Sequence, residues 1–175
     1  MRRHGRPVAR ARTAAHTLIF DQRPMNAKIT HKKRDIFMEG PIPASFIAES
    51  IAKHATRTDI GAHELFLGQV RADRTGEKQV EAIEYTSYRD MANEQMSVIR
   101  EEAFARWPEM TCLHVYHSQG IVPAGALCFM VLASTPHRQQ AREAVAYVTD
   151  EVKKRLPIFG REVMADGGHQ WKQNS

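Results

Sequence analysis

Apolar residues recur with two different periods from residue 35 onward, and the change of period predicts a mixture of strands and helices. Spacings of three and four residues predict helices over residues 43–54, 89–107 and 136–155. Alternating or continuous runs of β-forming residues predict strands over residues 35–38, 64–71, 80–88, 111–117, 126–134 and 158–164. The chain therefore combines both kinds of element in one folded body.

The connections between these elements favour hairpins over strand–helix–strand units. A polar segment with a central Gly76 joins residues 64–71 to residues 80–88 and predicts a long-looped β-hairpin. The segment SQGIVPAG joins residues 111–117 to residues 126–134 and predicts a second hairpin. Because a regular strand–helix alternation is missing, we expect an α+β fold with a largely antiparallel sheet covered by helices.

Positive charge is concentrated at the start of the chain. Residues 1–35 contain ten Lys or Arg but only Asp21 and Asp35 as acids, which gives a net charge of +8. The whole chain has 25 basic and 20 acidic residues, so 15 and 18 remain for the rest, or −3. The excess positive charge belongs to a tail and not to the folded body, which argues against a nucleic-acid-binding protein.

The same pattern divides the chain into two parts. We expect residues 1–34 to form a disordered basic extension and residues 35–175 to form one domain. The arginine-rich start also suits an organelle transit peptide, and Met25 is an alternative first residue of the protein. The longest apolar run, residues 126–133, is much shorter than the ~20 residues of a membrane-spanning helix, so we expect no membrane association.

The cysteine content predicts neither a disulfide framework nor a metal site. Cys112 and Cys128 are sixteen residues apart, fall inside predicted strands and lack the neighbours of a zinc motif or a CxxC pair. We expect two buried thiols in a reducing compartment, with no metal and no cofactor.

Three polar clusters at element ends are candidates for chemistry. The first, GQVRADRTG, places Arg71 in a loop that could also be an ordinary solvated one. In the second, His137 and Arg138 stand in the first turn of a predicted helix, where cations are unfavourable unless an anion binds. The third, VKKRLPIFGRE, contains Lys153 beside the apolar stripe of the same helix.

Cations in a last helical turn are the ordinary expectation, since they complement the helix dipole. Lys153 differs because we expect it to be partly desolvated, and such an amine near other cations can act as a base, an acid or a nucleophile. Together the clusters predict a cationic pocket with one reactive amine, suited to a phosphorylated or carboxylated substrate.

Residues 35–172 resemble the large subunit of molybdopterin synthase. The resemblance rests on the order and spacing of FLGQVRADRTG, EYTSYRDMA, RWP, HSQGIVPAG, ASTPHRQQARE, VKKRLPIFGRE and DGGHQW. It implies an α/β-hammerhead fold, a central homodimer and a cytoplasmic heterotetramer with a small ubiquitin-like sulfur carrier. The carrier's C-terminal Gly-Gly thiocarboxylate would donate sulfur twice to cyclic pyranopterin monophosphate, forming the molybdopterin dithiolene.

The resemblance also implies roles for single residues. Lys153 would be the catalytic lysine, because it stands four residues before Pro157 as the motif requires. The substrate-binding residues would be Arg71, His137, Arg138 and Arg161. The supporting residues would be Phe66 and Glu162.

The chain departs from the family pattern at two positions. Gly160 replaces the usual second active-site lysine, and Arg161 beside it carries a charge but cannot shuttle a proton as an amine can. Ser118 follows His117 where many members have an arginine. The loss of the lysine motivates one alternative, a non-catalytic scaffold that only binds the carrier.

Two further alternatives have less support in the sequence. A nucleic-acid-binding module would depend on the basic extension, and its affinity would fall steeply with salt. A hydrolase would need a nucleophile elbow or a paired base, and the sequence contains neither motif.

Overall fold

The computed structural model describes residues 34–75, 78–165 and 168–171, which belong to one compact unit. The predicted basic extension, residues 1–34, lies outside the described residues except for Arg34. None of the described helices has both the length and the apolar composition needed to cross a membrane.

The described part of the chain contains eight strands and three helices. The strands are β1 Phe37–Glu39, β2 Ala62–Gln69, β3 Arg74–Thr75, β4 Lys78–Ser87, β5 Cys112–Pro123, β6 Leu127–Thr135, β7 Ile158–Met164 and β8 His169–Trp171. The helices are α1 Ala44–Ala52, α2 Arg89–Arg106 and α3 Arg138–Arg155. All three predicted helices are confirmed, with ends within two residues of the expected ones.

The strands form a sheet in the order β2-β6-β5-β4-β7-β8, with every neighbouring pair antiparallel. The short β1 lies parallel to β5, and β3 pairs with β4. The α+β class and the largely antiparallel sheet are therefore confirmed, as is the hairpin of β5 and β6.

The predicted hairpin between the segments that form β2 and β4 is wrong. β2 pairs with β6, whereas β4 lies between β5 and β7. Alternation along a strand indicates which face is buried but does not specify the neighbouring strand. The sequence therefore predicts pairing between two strands that are consecutive in the chain, whereas the fold places other strands between them.

Strand β6 is buried on both of its faces, as its continuous apolar run predicts. Phe129 and Val131 face the main core, to which α2 and α3 contribute apolar stripes. Met130 and Leu132 face a second cluster, to which α1 contributes Ile47. The sheet thus has α2 and α3 on one face and α1 on the other.

Strand β5 connects two parts of the sheet. Its first half, residues 112–117, pairs with β6, and its second half, from Gly120 to Pro123, pairs with β4. Gly120 has a φ of 78°, a conformation that glycine adopts without steric cost. The bend at Gly120 lets one strand serve both halves, and it explains why residues predicted as a loop are extended.

Candidate active site

A cavity of about 660 Å³ opens where the end of α3 meets the sheet. It is lined by residues from five strands, from α3 and from the segments that follow β2 and α3: Phe66, Leu67, Gly68, Gln69, Arg71, Tyr85, His117, Cys128, Phe129, Asp150, Val152, Lys153, Lys154, Leu156, Ile158 and Gly160. Its volume falls in the range of about 300–1,000 Å³ that is typical of small-molecule sites.

Part of the cavity lining is a row of residues that are paired across three neighbouring strands. Gly68 of β2 is opposite Phe129 of β6, which is opposite His117 of β5. A Cβ atom on Gly68 would lie 3.0 Å from the Cβ of Phe129, closer than side chains normally approach. Glycine at this position therefore allows β2 to pass close to the Phe129 side chain. Phe66 packs edge-on against the same ring, with 5.6 Å between centroids.

The inner part of the cavity is aromatic and uncharged. The His117 ring is buried between the rings of Tyr85 and Phe129. Burial lowers the pKa of His117 to about 4, so the imidazole is neutral at neutral pH. Its Nδ1 donates a hydrogen bond of 2.9 Å to the carbonyl of Ser118, which leaves Nε2 as the acceptor nitrogen.

Tyr85 and Cys128 are also held in their protonated forms. Burial raises the pKa of the Tyr85 hydroxyl far above its usual value, and the hydroxyl donates to Sγ of Cys128 over 3.3 Å. Cys128 donates in turn to the carbonyl of Gly68 over 3.5 Å. A thiol held in this way is not poised as a nucleophile, because the thiolate is the reactive form.

The entrance of the cavity carries the charge. Arg71, Lys153 and Lys154 line it together with Asp150, which gives three cations and one carboxylate. Arg71 is largely exposed and pairs with Asp73 over 2.8 Å. An anionic group that enters the cavity therefore meets an excess of positive charge before it reaches the neutral inner part.

Lys153 lies at the cavity, but its environment differs from the expected one. Its side chain is exposed, whereas partial desolvation was predicted. The neighbouring Val152 belongs to the buried stripe of α3. Lys153 is one position further round the helix, so its side chain lies at the open edge of the cavity.

His137 and Arg138 lie at the opposite end of α3. Fifteen residues separate Arg138 from Lys153, so about 22 Å separate their Cα atoms at a rise of 1.5 Å per residue. Both side chains are exposed, and neither lines the cavity of the same chain. His137 is extended and precedes the helix as its N-cap residue, and its carbonyl accepts a hydrogen bond of 2.7 Å from Oγ1 of Thr135.

Arg161, Glu162 and Ser118 are placed outside the cavity lining. Arg161 forms a half-buried ion pair with Glu84, the residue opposite it on β4. Glu162 is two residues beyond Gly160, so its side chain points to the same face of β7 as that cavity residue, but it lies further along the strand and outside the lining. Ser118 is fully buried. Gly160, by contrast, lines the cavity at the position where the family pattern has a lysine.

The sequence did not identify Tyr85, His117, Cys128 or Lys154 as lining residues. Three of them lie on β4, β5 and β6, and their alternation indicates only which positions are buried. A buried histidine and tyrosine at strand positions was the available signal, because polar rings in a core require a partner or a site.

The chain is similar in sequence to one family and its members. The family described as MoaE protein matches residues 43–155. Molybdopterin synthase catalytic subunit 1 from Aedes aegypti is 39% identical over 116 residues, which cover 65% of this chain and 74% of that protein.

Solved structures support the same relationship. Molybdopterin synthase from Staphylococcus aureus aligns with a TM-score of 0.70 at 26% identity, covering 82% of this chain and 99% of that one. A protein–protein complex of subunits 1 and 2 of the molybdopterin-converting factor from Helicobacter pylori aligns with a TM-score of 0.66 at 17% identity. That alignment covers 79% of this chain and 89% of the other, and it shows a shared fold.

Proposed function

The chain belongs to the MoaE protein family, and on this premise we propose that it is the sulfur-transferring catalytic subunit of a molybdopterin synthase, active in molybdenum cofactor biosynthesis. The observation that supports this most directly is the cavity, which combines Lys153 and Arg71 at its entrance with a neutral aromatic interior. Such a site suits a flat, uncharged ring system that carries an anionic group.

The proposed substrate is cyclic pyranopterin monophosphate. Its pterin ring would stack among Phe66, Phe129 and Tyr85, and its phosphate would remain near Arg71 at the charged entrance. The sulfur donor is the C-terminal thiocarboxylate of a small ubiquitin-like carrier, a second anion attracted by the same charges. The cavity residues can supply positioning and charge neutralisation, which contribute much of the rate in such sites.

Lys153 is the proposed catalytic residue. Its amine would neutralise the thiocarboxylate, hold the sulfur against the pterin side chain and move a proton when the cyclic phosphate opens. Cys128 is held as a neutral thiol, which supports delivery of sulfur by the carrier rather than by a cysteine of this chain.

A homodimer of this chain is the proposed core of the assembly, with one carrier bound to each subunit. In this arrangement His137 and Arg138 of one copy would complete the anion site of the other, because they are exposed and far from the cavity of their own chain. Binding of the second copy and of the carrier would then exclude water from the Lys153 amine.

Exposed aromatic side chains support a protein-binding role for part of the surface. Tyr88, Phe159 and Trp171 line a shallow pocket near the cavity residue Gly160. Contiguous exposed apolar patches are typical of protein interaction sites. We further propose a cytoplasmic location, which two cysteines that each donate a hydrogen bond as a thiol support.

The test is reconstitution of the reaction from purified components. The protein is incubated with thiocarboxylated carrier and cyclic pyranopterin monophosphate, and the molybdopterin formed is oxidised and measured by fluorescence. We expect K153A to reduce the rate by about 10²–10⁴, the usual contribution of a general acid–base group. K53A is the matched control, because Lys53 is an exposed lysine that ends α1 on the opposite side of the sheet.

Two results would contradict the proposal. Wild-type rates from K153A would remove the lysine from the mechanism. Carrier binding by calorimetry without any molybdopterin from the wild-type protein would instead support the scaffold, which the replacement of a lysine by Gly160 makes a specific alternative.

A further inference from the structure

A group of nitrogen and sulfur ligands lies on the face of the sheet opposite the cavity. One ligand atom each from His54, Cys112 and His114 lie within 4.8 Å of one another. Cys112 and His114 are two apart on β5, so their side chains point to the same face. His54 reaches that face from the turn that follows α1, sixty positions before His114 in the chain.

The register of the sheet supplies a fourth candidate. His63 of β2 is opposite Ser134 of β6, and Ser134 is opposite Cys112 of β5. These three side chains form one row on the face that α1 covers. The ring centroid of His63 is 5.7 Å from that of His54, and the centroid of His54 is 5.3 Å from that of His114.

The hydrogen bond of His54 prepares it as a ligand. Its Nδ1 lies 2.9 Å from the carbonyl of Ser50, and because a carbonyl can only accept, Nδ1 must carry the proton. Nε2 then holds the free electron pair. Histidines that bind metals usually donate their other ring N–H to a carbonyl or a carboxylate in this manner.

We propose that His54, Cys112 and His114 bind one Zn²⁺ ion, with His63 as the fourth ligand. Three imidazoles and one thiolate are a tetrahedral donor set that zinc accepts, with Zn–N distances of about 2.0 Å and a Zn–S distance of about 2.3 Å. Ligand atoms in such a site lie about 3–4 Å apart, so the three grouped atoms must move closer together, and His63, which lies outside that group, must turn towards the ion. No carboxylate belongs to the group, which disfavours Mg²⁺ and Ca²⁺.

Binding requires one proton to leave. The Cys112 thiol donates to Oγ of Ser134 over 3.3 Å, and it gives up this proton to the solvent when sulfur binds the ion. The Lys and Arg residues that act electrostatically on His114 or Cys112 are Arg34, Lys53, Arg57 and Arg100. The new thiolate offsets part of the repulsion between these cations and the ion.

The role of the ion would be structural. It would join the turn after α1 to β2 and β5, three segments that are far apart in the sequence. With four protein ligands the site is closed, unlike a catalytic site that keeps a position for water or substrate. The sequence predicted no metal here, because the ligand spacing forms only when the helix end folds back over the strands.

Cobalt titration of the full-length protein tests the proposal. After treatment with a chelator, Co²⁺ is added and the absorption spectrum recorded. We expect one equivalent to give a thiolate-to-cobalt charge-transfer band with the strong visible bands of tetrahedral cobalt, and one equivalent of Zn²⁺ to remove both. The histidines of residues 1–33 cannot produce the charge-transfer band, because that segment contains no cysteine.

Variants assign the band to this cluster. C112S should lose the charge-transfer band, and H54Q and H114Q should weaken cobalt binding by about tenfold or more. C128S is the matched control and should keep the band, because Cys128 lies on the cavity side of the sheet. His54 is half-buried and lies after the end of α1, so we expect H54Q to fold. If C112S does not fold, the cobalt affinity of H54Q tests the metal site.

Three outcomes would overturn the proposal. They are a wild-type protein without the charge-transfer band, a band that persists in C112S, and unchanged cobalt affinity in H54Q. The reconstituted reaction is measured separately, so failure of the metal site leaves the proposed sulfur transfer unaffected.

Discussion

Replacement of His117 by phenylalanine should make the protein less sensitive to acid. The imidazole is buried in the folded state, where its pKa is about 4, against 6.5 for an unperturbed histidine. As the pH falls through 6.5, the unfolded chain therefore takes up the proton first. The contribution of the neutral ring to stability is complete above about pH 6.5 and is lost progressively as the pH falls towards 4.

The size of the effect follows from the difference between the two pKa values. One pKa unit corresponds to about 1.36 kcal/mol, so at pH 5, about 1.5 units below 6.5, His117 alone removes about 2 kcal/mol from the free energy of unfolding. The loss approaches a limit of about 3 kcal/mol below the folded-state pKa. H117F keeps an aromatic ring against Tyr85 and Phe129 but has nothing to protonate.

Urea unfolding followed by circular dichroism at about pH 7.5 and about pH 5 measures the difference. A chelator in the buffer keeps the histidine cluster near α1 free of metal. We expect the wild-type protein to lose about 2 kcal/mol more than H117F between the two pH values. H137Q is the control, because it removes an exposed imidazole and should behave as the wild-type protein does. Equal losses in wild type and H117F would refute the reasoning.

Three further changes have definite expected outcomes. G61A places a Cβ 2.2 Å from the carbonyl oxygen of Pro136, so it should cost about 1–3 kcal/mol of unfolding free energy in urea titrations. M130A leaves a cavity in the apolar cluster under α1 and should lower the free energy of unfolding by about 2–5 kcal/mol. M91A is its control, because Met91 is exposed and its replacement should change that free energy by less than about 0.5 kcal/mol. G160K returns an amine to the cavity wall and should raise the single-turnover rate of sulfur transfer about tenfold, or ~1.4 kcal/mol of transition-state stabilisation; an unchanged rate would exclude a need for the second lysine.

The sequence predicted the helices well because their evidence is local. The apolar stripe of α3 recurs at helical spacing, and Pro157 follows its last turn, so its extent could be read without knowledge of its neighbours. The hairpin of β5 and β6 is local in the same sense. The pairing of β2 with β6 joins Ala62 to Thr135, and no pattern within either strand specifies that choice.

The site was predicted in part for the same reason. Lys153 and Arg71 were recognised from motifs and do line one cavity. His117 and Tyr85 become neighbours only because β5 bends at Gly120 and then pairs with β4. Arg138 and Lys153 stand at opposite ends of the same helix. Two ends of one straight helix cannot meet within a single chain, so the predicted common pocket does not form there.

Strand β5 forms a common wall between two chemically different compartments. Odd-numbered His117 faces the aromatic interior of the cavity, and even-numbered His114 faces the nitrogen and sulfur cluster beneath α1. A slip of this strand by a single position would exchange the two sets of side chains between the faces. That one displacement would disrupt both the cavity and the nitrogen and sulfur cluster. The hydrogen bonds that fix the β5 register therefore maintain both sites.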